Sequence, residues 1–352
     1  MTNAVNIAQS GSNNVTFRNR IINGAMVINQ RGFSGTPTNG QYTLDRYNVL
    51  MPIASKFTVA QSSTAPTGFV NSLLVTSSSA YTVGTSEAFG IQQVIEGYNC
   101  ADLMWGTANA KTVTLSFWVY SSLTGTFGGA LQNYAADRSY PFSYTVSSAN
   151  TWTQASVTIA GDTTGTWTTT NSGCIALIFS VGTGATKSGT AGVWGSTYYA
   201  SATGATSVVG TNGATFYITG VQLEKGSTAT SFDYRPYGTE LALCQRYFEK
   251  SYNQSIAPGN TDDTGFYASG SAVNSTTLNV SVPWVVVKRA SPTVTIYSYN
   301  GTASAVSSYN DVNTITGASA NKVSTAGLTG ISVSGLTSGN HYWAHYTASA
   351  EL

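Results

Sequence analysis

The sequence predicts an all-β protein built mainly as a two-sheet sandwich. Short runs rich in Thr, Val, Tyr and Trp alternate with turns that contain Gly and Asn, and the 352 residues include 36 glycines. β-branched and aromatic residues favour strands, whereas Gly and Asn favour the turns between them. Aromatic residues make up 12% of the chain and charged residues 8%, a composition opposite to that of disordered proteins. We therefore expect packed β domains.

The first predicted domain spans residues 18–236. Its clearest strand, 112–120, places Val113, Leu115, Phe117 and Val119 on one face and polar residues on the other. A buried strand with a break at Asn23-Gly24 is predicted over 21–28. The other predicted strands are 57–60, 72–76, 91–96, 153–159, 174–181 and 216–223. Their spacing fits a two-sheet sandwich.

Two aromatic residues, Trp118 and Tyr120, lie on the polar face of the strand 112–120. In a sandwich, an inner or concave face that carries Trp and Tyr can stack against sugar rings. The same side chains can instead pack beneath a loop. The sequence leaves both alternatives open.

A segment of Gly, Ser, Thr and Ala, residues 182–213, is predicted to be a long loop. Such loops in compact domains are usually functional or mobile. It carries Trp194, Tyr198 and Tyr199, which we expect to be ligand-binding residues. Trp194 is the strongest candidate because its small neighbours Gly192, Gly195 and Ser196 offer little bulk to bury it.

The segment 216–250 is predicted to end the first domain and to form a neck. Arg235-Pro236 favours an extended hinge, and a short helix with Thr239 as its cap follows within residues 237–250. Leu241, Cys244 and Phe248 then form a narrow apolar stripe, which predicts a trimer interface.

The second, smaller β domain is predicted over residues 251–352. Its expected strands are 265–272, 277–287, 293–299 and 341–346. The aromatic residues expected to bind ligand in this domain are Tyr267, Tyr309 and Trp343. We expect the two domains to fold independently, since the composition changes around Arg235-Pro236 and the apolar periodicity resumes only at Gly265.

Charge and motifs exclude several classes of function. A net charge of +1 gives no electrostatic attraction to nucleic acid or to an anionic membrane, and no apolar run is long enough to span a bilayer. No secretory signal is recognised, and Cys100, Cys174 and Cys244 show no metal-binding spacing.

Catalysis is not expected, because no fingerprint of an enzyme is present. His341 and His345 share one face of a strand without a third ligand to complete a metal site. Asp137 and Asp162 could form the carboxylate pair of a glycosidase, but nothing in the sequence distinguishes them.

Several ordered motifs resemble a family of bacteriophage virion proteins, mostly tail-fibre or receptor-binding proteins. They are NRIINGAM (19–26), QRG (30–32), YTLDRY (42–47), TVTLSFWVYS (112–121), TWT (151–153), GDT (161–163) and VQLEKGSTATSFDYRPYGTELALCQRYFEK (221–250). The strand motifs are also similar to jelly-roll carbohydrate-binding modules. The resemblance implies a jelly-roll sandwich, a homotrimer and a location on the virion.

Calcium-binding jelly rolls often have an acidic residue after the Asn-Gly of this first strand. Ala25 and Met26 stand there instead, and Asn29 and Gln30 carry no charge. We therefore expect no metal and no cofactor.

Two functions remain after these exclusions. One is a tail-fibre protein that attaches to host surface polysaccharide through non-catalytic carbohydrate binding. The other is a structural head fibre, decoration or adaptor protein. Residues 1–17 are polar and are either a disordered tail or an anchor peptide that docks onto other virion proteins.

Overall fold

The computed structural model of the protein describes residues 18–264, 268–309 and 313–352. The predicted anchor peptide, residues 1–17, and the candidate ligand-binding residue Tyr267 lie outside these ranges. Within them the chain is almost entirely β-structure with one α-helix, which confirms the predicted fold class. None of the helices in these ranges is long and apolar enough to cross a membrane.

The first unit, strands β1–β13, is a sandwich of a six-stranded and a five-stranded antiparallel sheet. The strands are β1 (Ser34–Gly35), β2 (Asn48–Leu50), β3 (Phe57–Ser62), β4 (Ser72–Ser77), β5 (Ala88–Glu96), β6 (Val113–Ser121), β7 (Gly125–Asn133), β8 (Ser139–Val146), β9 (Thr153–Ile159), β10 (Gly173–Thr183), β11 (Ser188–Gly189), β12 (Ser201–Ala202) and β13 (Thr215–Lys225). The six-stranded sheet has the order β1-β3-β4-β13-β6-β9, and the five-stranded sheet β2-β5-β10-β7-β8. The short strands β11 and β12 pair in parallel.

The inner faces of the two sheets form one hydrophobic core. Leu115 and Phe117 of β6 are buried against Phe127 and Phe179 of the opposite sheet. The rings of Phe117 and Phe179 meet edge to face with centroids 4.9 Å apart. Alternation along β6 therefore leaves its remaining side chains on the outer face, as predicted.

The strand predicted over 21–28 is wrong, because this segment forms turns. Asn23 and Met26 both have left-handed backbone angles, with φ of 60° and 58°. The Asn23 side chain accepts a hydrogen bond from the Ile28 amide at 2.9 Å and donates one to the Ile28 carbonyl at 2.8 Å. Such local bonds replace the ladder of a strand.

Strands β7 and β8 were not predicted from the sequence. Gly128-Gly129 in β7 masks the strand pattern, because glycine is a poor strand former. A Cβ on Gly129 would lie 2.3 Å from the Ile178 carbonyl oxygen and 2.4 Å from the Phe142 ring. Glycine at this position therefore allows close packing of β7 on its neighbours.

Residues 184–213, called the covering loop, place Tyr198 and Ala200 on the outer face of the five-stranded sheet. Ile178 points to that face and is buried with Ala88 and Ala200, and Tyr198 packs against the same cluster. The Gln132 side chain donates a hydrogen bond to the Tyr199 carbonyl at 2.5 Å. The loop therefore covers a sheet face of its own chain.

The predicted neck differs from the structure. Helix α1 spans Tyr237–Gln245 with Pro236 at its N-cap, so Thr239 is not the cap. The next element is strand β14 (Phe248–Lys250), which places Phe248 on a strand and not on the helix.

The three residues predicted to form a trimer neck pack within their own chain. Cys244 is fully buried against Ile22 and Tyr247, with Leu241 packed on the same cluster. Phe248 lies beneath the Arg31 guanidinium, 3.8 Å from the ring centroid. These side chains form no common stripe for a partner, which corrects the prediction of a trimer interface at this site.

The second unit, strands β14–β22, is built around one long strand. Its further strands are β15 (Ala268–Asn274), β16 (Thr277–Pro283), β17 (Thr293–Tyr297), β18 (Ala305–Ser308), β19 (Thr314–Thr316), β20 (Ser319–Ala320), β21 (Gly327–Ser332) and β22 (His341–Ser349). β22 pairs with β15 and β18 along its first half and with β14 and β17 along its second half. The resulting nine-stranded sheet folds over a separate core, with β17 packed against β20.

Buried charged residues connect the two units. Glu351 forms ion pairs with Arg46 and, at 3.0 Å, with Arg31. Arg246, which lies between α1 and β14, pairs with Glu96 of β5 at 2.5 Å. Because these contacts are largely buried, the two units support each other. The predicted domain bounds and independent folding stay predictions.

Candidate functional site

The outer face of the six-stranded sheet carries four half-buried aromatic side chains, here called the aromatic face. They are Trp118 and Tyr120 on β6, Trp152 immediately before β9 and Tyr217 on β13. The strand register places Tyr120 opposite Tyr217, so their side chains are direct cross-strand neighbours. The aromatic face therefore runs across the strands.

Three rings of the aromatic face, those of Tyr120, Trp152 and Tyr217, contact one another. The Tyr120 centroid lies 5.1 Å from that of Tyr217 and 5.5 Å from that of Trp152. Edge-to-face and tilted contacts at such distances stabilise aromatic clusters while leaving ring surface accessible. Their partial exposure distinguishes these rings from those of the core.

A second group of rings adjoins the aromatic face. Phe69 lies 5.2 Å from Phe232 and 5.4 Å from Tyr234, measured between centroids. Gly220, with φ of 61°, sits where this group meets Trp118. A Cβ there would lie 2.7 Å from the Phe69 ring and 3.0 Å from the Trp118 ring. Glycine thus permits the rings of Phe69 and Trp118 to approach the backbone closely at this point.

A polar groove of about 390 Å³ runs beside this surface. It lies between β9 and the segment 226–235, and its lining residues are Gln154, Ala155, Ser156, Ala229, Thr230 and Ser231. Gln154 is opposite Trp118 in the register of β6 and β9. Amide and hydroxyl groups therefore stand next to the rings.

The segment 226–235 is held in place by side chains of β13. Glu224 accepts hydrogen bonds from the Thr230 amide and hydroxyl, each at 2.8 Å. Gln222 accepts one from the Asp233 amide at 2.7 Å. The wall of the groove is thereby ordered without a ligand, which lowers the entropic cost of binding.

The side chains of the aromatic face and of the groove lining are aromatic, aliphatic or neutral polar ones. At their edge, Arg18 and Asp233 form an ion pair at 4.0 Å. Burial raises the pKa of Tyr217, with a further contribution from Tyr120, and burial also raises the pKa of Tyr234. The hydroxyls of Tyr217 and Tyr234 therefore remain protonated at physiological pH, and this surface suits an uncharged ligand.

Trp194, the strongest candidate from the sequence, is packed in an aromatic cluster. Its ring centroid lies 5.5 Å from Trp105, 5.6 Å from Trp167 and 5.2 Å from Tyr140. Its indole N–H donates to the Ala160 carbonyl at 2.8 Å. The expectation that Trp194 lacks packing partners is wrong, because these partners come from distant parts of the chain. Its role in ligand binding stays a prediction.

Tyr198 and Tyr199 hold the covering loop in place. Tyr198 packs on the outer face of the five-stranded sheet, with the Lys187 ammonium 4.7 Å from its ring centroid. The Tyr199 amide donates to the Ser139 hydroxyl at 3.1 Å. Both have structural partners, and their predicted binding role stays a prediction.

The structure brings together two candidates of the second unit. Tyr309, which is 65% exposed, contacts Trp343 with centroids 6.0 Å apart. Tyr299, which the sequence did not single out, stacks on the other side with its centroid 6.1 Å from that of Trp343. These three rings form a smaller aromatic group, whose binding role stays a prediction.

The two histidines have separate surroundings. His345 is buried, stacks on Tyr252 with centroids 3.8 Å apart and hydrogen-bonds Ser251 at 2.9 Å. His341 is exposed and lies 3.3 Å from the Ser271 hydroxyl. In the part of the chain that the structure describes, no group of three His, Cys, Asp or Glu side chains could hold a metal ion.

Asp137 and Asp162, the possible carboxylate pair of a glycosidase, each bind another side chain. The Arg138 guanidinium donates two hydrogen bonds to the Asp162 carboxylate, at 2.7 and 2.8 Å. Burial alone would raise the pKa of Asp162, but the hydrogen bonds from Arg138 hold it below its usual value. Asp137 hydrogen-bonds Asn133 at 2.6 Å. Asp162 is therefore an ion-pair partner that supports the fold.

Sequence reasoning found part of the aromatic surface. The alternation of β6 indicated Trp118 and Tyr120, and the motifs at 151–153 and 221–250 contained further members without assigning them a role. Tyr217 could have been found by the same alternation along β13. Phe69 has no such signal, because it lies in a loop whose course depends on tertiary packing.

Comparisons with known proteins give structural similarities but no family. No family model matches the chain, and no curated protein matches its sequence. A Bacteroides thetaiotaomicron protein to which sugar binding is ascribed is 12% identical over 59% of this chain and 100% of its own, with a TM-score of 0.37.

Two further solved structures show a similar degree of likeness. The enzymatically active domain of bacteriophage CBA120 tailspike protein 4 is 13% identical over 59% of this chain and 21% of its own, with a TM-score of 0.33. A CBM4 structure is 16% identical over 56% of this chain and 99% of its own, with a TM-score of 0.31. At these TM-scores, the function must be inferred from the side chains of the chain itself.

Proposed function

We propose that this protein is a non-catalytic carbohydrate-binding protein of a bacteriophage particle. Its aromatic face binds a neutral glycan of the host surface, and the adjoining groove bonds the sugar hydroxyls. The observation that carries the proposal is the cluster of half-exposed aromatic rings formed by Tyr120, Trp152 and Tyr217, beside a groove lined by neutral polar residues.

The chemistry of that surface fits a sugar. A pyranose ring offers an apolar face of C–H groups and a rim of hydroxyls, so it needs flat rings and neutral hydrogen-bonding groups. Tyr120, Trp152 and Tyr217 supply the rings, and Gln154 and Ser156 supply the polar groups. Binding sites of this kind combine apolar area with a few well-placed polar anchors.

The location on a virion is supported by the sequence motifs that resemble phage virion proteins. On the same resemblance, residues 1–17 would dock onto other virion proteins, and the chain would assemble as a homotrimer. Because Cys244 and Phe248 are buried within one chain, a trimer would use another surface. Light scattering should give three times the chain mass; a monomer at micromolar concentration would contradict the trimer.

The binding proposal is tested with the full-length protein on an array of neutral oligosaccharides. We expect the double variant Tyr120→Ala/Trp152→Ala to lose binding by about tenfold or more, because hot-spot aromatic contacts are each worth about 2 kcal/mol. The matched control is Tyr98→Ala, which removes a 63% exposed tyrosine from the turn after β5. This control should bind as the wild type does.

Unchanged binding by the double variant would remove the aromatic face from the proposal. Failure of the wild-type protein to bind any oligosaccharide would instead favour the structural head-fibre, decoration or adaptor role. Labelled antibodies on intact particles would then show whether the protein lies on the tail or on the head.

A further inference from the structure

A second groove lies at the junction of the two units, far along the chain from the aromatic face. It has a volume of about 380 Å³ and is called the junction groove. Gln41 and Tyr42 of the first unit line it together with Tyr297, Thr347 and Ser349 of the second unit. The site is complete only when both units are in place.

The junction groove offers partly accessible aromatic surface. Tyr42 and Tyr297 are both half-buried, and Phe33 lines the same groove. The Tyr42 hydroxyl donates to the Leu352 carbonyl, which fixes its ring, and Tyr297 is held by an edge contact with Tyr252 at 6.0 Å. Fixed rings of this kind can receive a ligand with little loss of side-chain entropy.

Three neutral polar groups in the junction groove have unused hydrogen-bonding capacity. Thr347 and Ser349 are two residues apart on β22, so their hydroxyls point to the same side of the sheet. Among the described residues, neither hydroxyl has a hydrogen-bond partner. The side-chain oxygen of Gln41 accepts hydrogen bonds from the Thr38 amide at 2.8 Å and from the Thr38 hydroxyl at 3.2 Å. Its side-chain NH₂ group therefore remains available as a donor.

The charged groups beneath the junction groove compensate one another. Arg31, which lines it, lies 3.0 Å from Glu351 and 3.7 Å from Asp45. Arg46 pairs with the second oxygen of Glu351. Arg31 and Arg46 are thus both paired with carboxylates.

We propose that the junction groove is a second binding site for a neutral sugar. A pyranose ring rests on the rings of Tyr42 and Tyr297, and its hydroxyls are bound by Gln41, Thr347 and Ser349. The proposal shares the class of ligand with the aromatic face but uses different residues. Because both units contribute, a bound sugar also stabilises the junction between them.

The test uses calorimetric titration of the full-length protein with linear hexasaccharides of glucose, galactose, mannose and xylose. The groove variant is Gln41→Ala/Thr347→Val/Ser349→Ala, which removes polar groups and changes packing little. The face variant is Tyr120→Ala/Trp152→Ala. Circular dichroism melts identify any variant that fails to fold, and the single change Ser349→Ala then replaces the triple variant.

We expect the wild type to bind two sugars per chain and the groove variant to lose one of them. Loss of three hydrogen bonds should weaken that site by about tenfold or more. The sugar should also raise the melting temperature of the face variant, since the junction groove is intact there. In the groove variant, the junction groove should contribute no such increase.

Identical isotherms for the wild type and the groove variant would overturn the second site. If the groove variant loses binding while the face variant does not, the second site stands and the aromatic face is overturned as the main site. Absence of binding to every hexasaccharide up to about 10 mM, a range that detects even millimolar affinities, would overturn both sites.

Discussion

The two sheets of the first unit have outer faces of opposite character. The face of the six-stranded sheet carries half-exposed rings, among them Tyr120 and Tyr217. The face of the five-stranded sheet carries Ile178 and Ala88, which are buried under the covering loop. The outer face of the six-stranded sheet is therefore accessible to a ligand, whereas that of the five-stranded sheet is covered by a loop of the same chain.

The difference follows from the side chains of each face. Aliphatic residues such as Ile178 have no polar atoms and must be covered to gain free energy from burial. Tyr and Trp combine apolar rings with a polar atom, so they tolerate an interface between protein and water. The long loop predicted to bind ligand thus packs on its own sheet, and the strand residues for which the sequence left both roles open form an accessible surface.

The largest effect should come from truncation on the covered face. Ile178→Ala removes a fully buried side chain beneath the loop, and we expect a loss of about 2–5 kcal/mol in the free energy of unfolding. Chemical denaturation measures this loss. Leu74→Ala, on the half-exposed opposite face, is the matched control and should cost clearly less. Equal losses would mean that the two faces do not differ as described.

The next effect concerns Trp194. Because its ring packs on Trp105, Trp167 and Tyr140, Trp194→Ala should lower the free energy of unfolding by about 1–3 kcal/mol. A thermal melt checks this expectation, with Tyr98→Ala as an exposed aromatic control. An unchanged melting temperature would return Trp194 to the group of free, ligand-facing side chains.

A smaller effect should appear as a dependence on pH near the same cluster. The folded-state pKa of Asp162 lies below its unfolded value of about 3.8, so its ion pair adds stability above that pH. This contribution should be lost as the pH falls below about 4 and through the folded-state pKa.

Asp162→Asn should remove that contribution at neutral pH, at a cost of about 1 kcal/mol, and should flatten the acid limb of the stability curve. Melts between pH 7 and 2.5 measure both. If the stability of the wild type and that of the variant fall in parallel as the pH is lowered, the Arg138–Asp162 pair is not responsible for the loss of stability in acid.

The smallest effect on stability should come from the aromatic face. Trp152→Ala should change the free energy of unfolding by no more than about 1 kcal/mol, because the ring is half-exposed and has neighbours on one side only. Its effect on glycan binding should be far larger. A destabilisation comparable to that of Ile178→Ala would identify Trp152 as part of the packed structure.

The sequence was sufficient for the fold class and for most long strands. Alternation along β6 predicted both its buried residues and its outward aromatic pair, because the two faces of a strand follow from a period of two. β7 was missed, since Gly128 and Gly129 fit close approaches of Ser201 and Ile178, which are contacts between distant segments. Trp194 was misjudged for the same reason: its sequence neighbours are small, but its packing partners are not its neighbours.

The ion pair of Arg46 and Glu351 also bears on how the molecule is made. The two residues are 305 positions apart, and the guanidinium is only 1% exposed in the folded protein. During synthesis Arg46 leaves the ribosome long before its partner exists. A nascent chain that stopped short of Glu351 would have to leave this cation hydrated or bury it unpaired, at a cost of about 3–5 kcal/mol. Final closure of the first unit therefore waits until the segment that contains Glu351 has been synthesised.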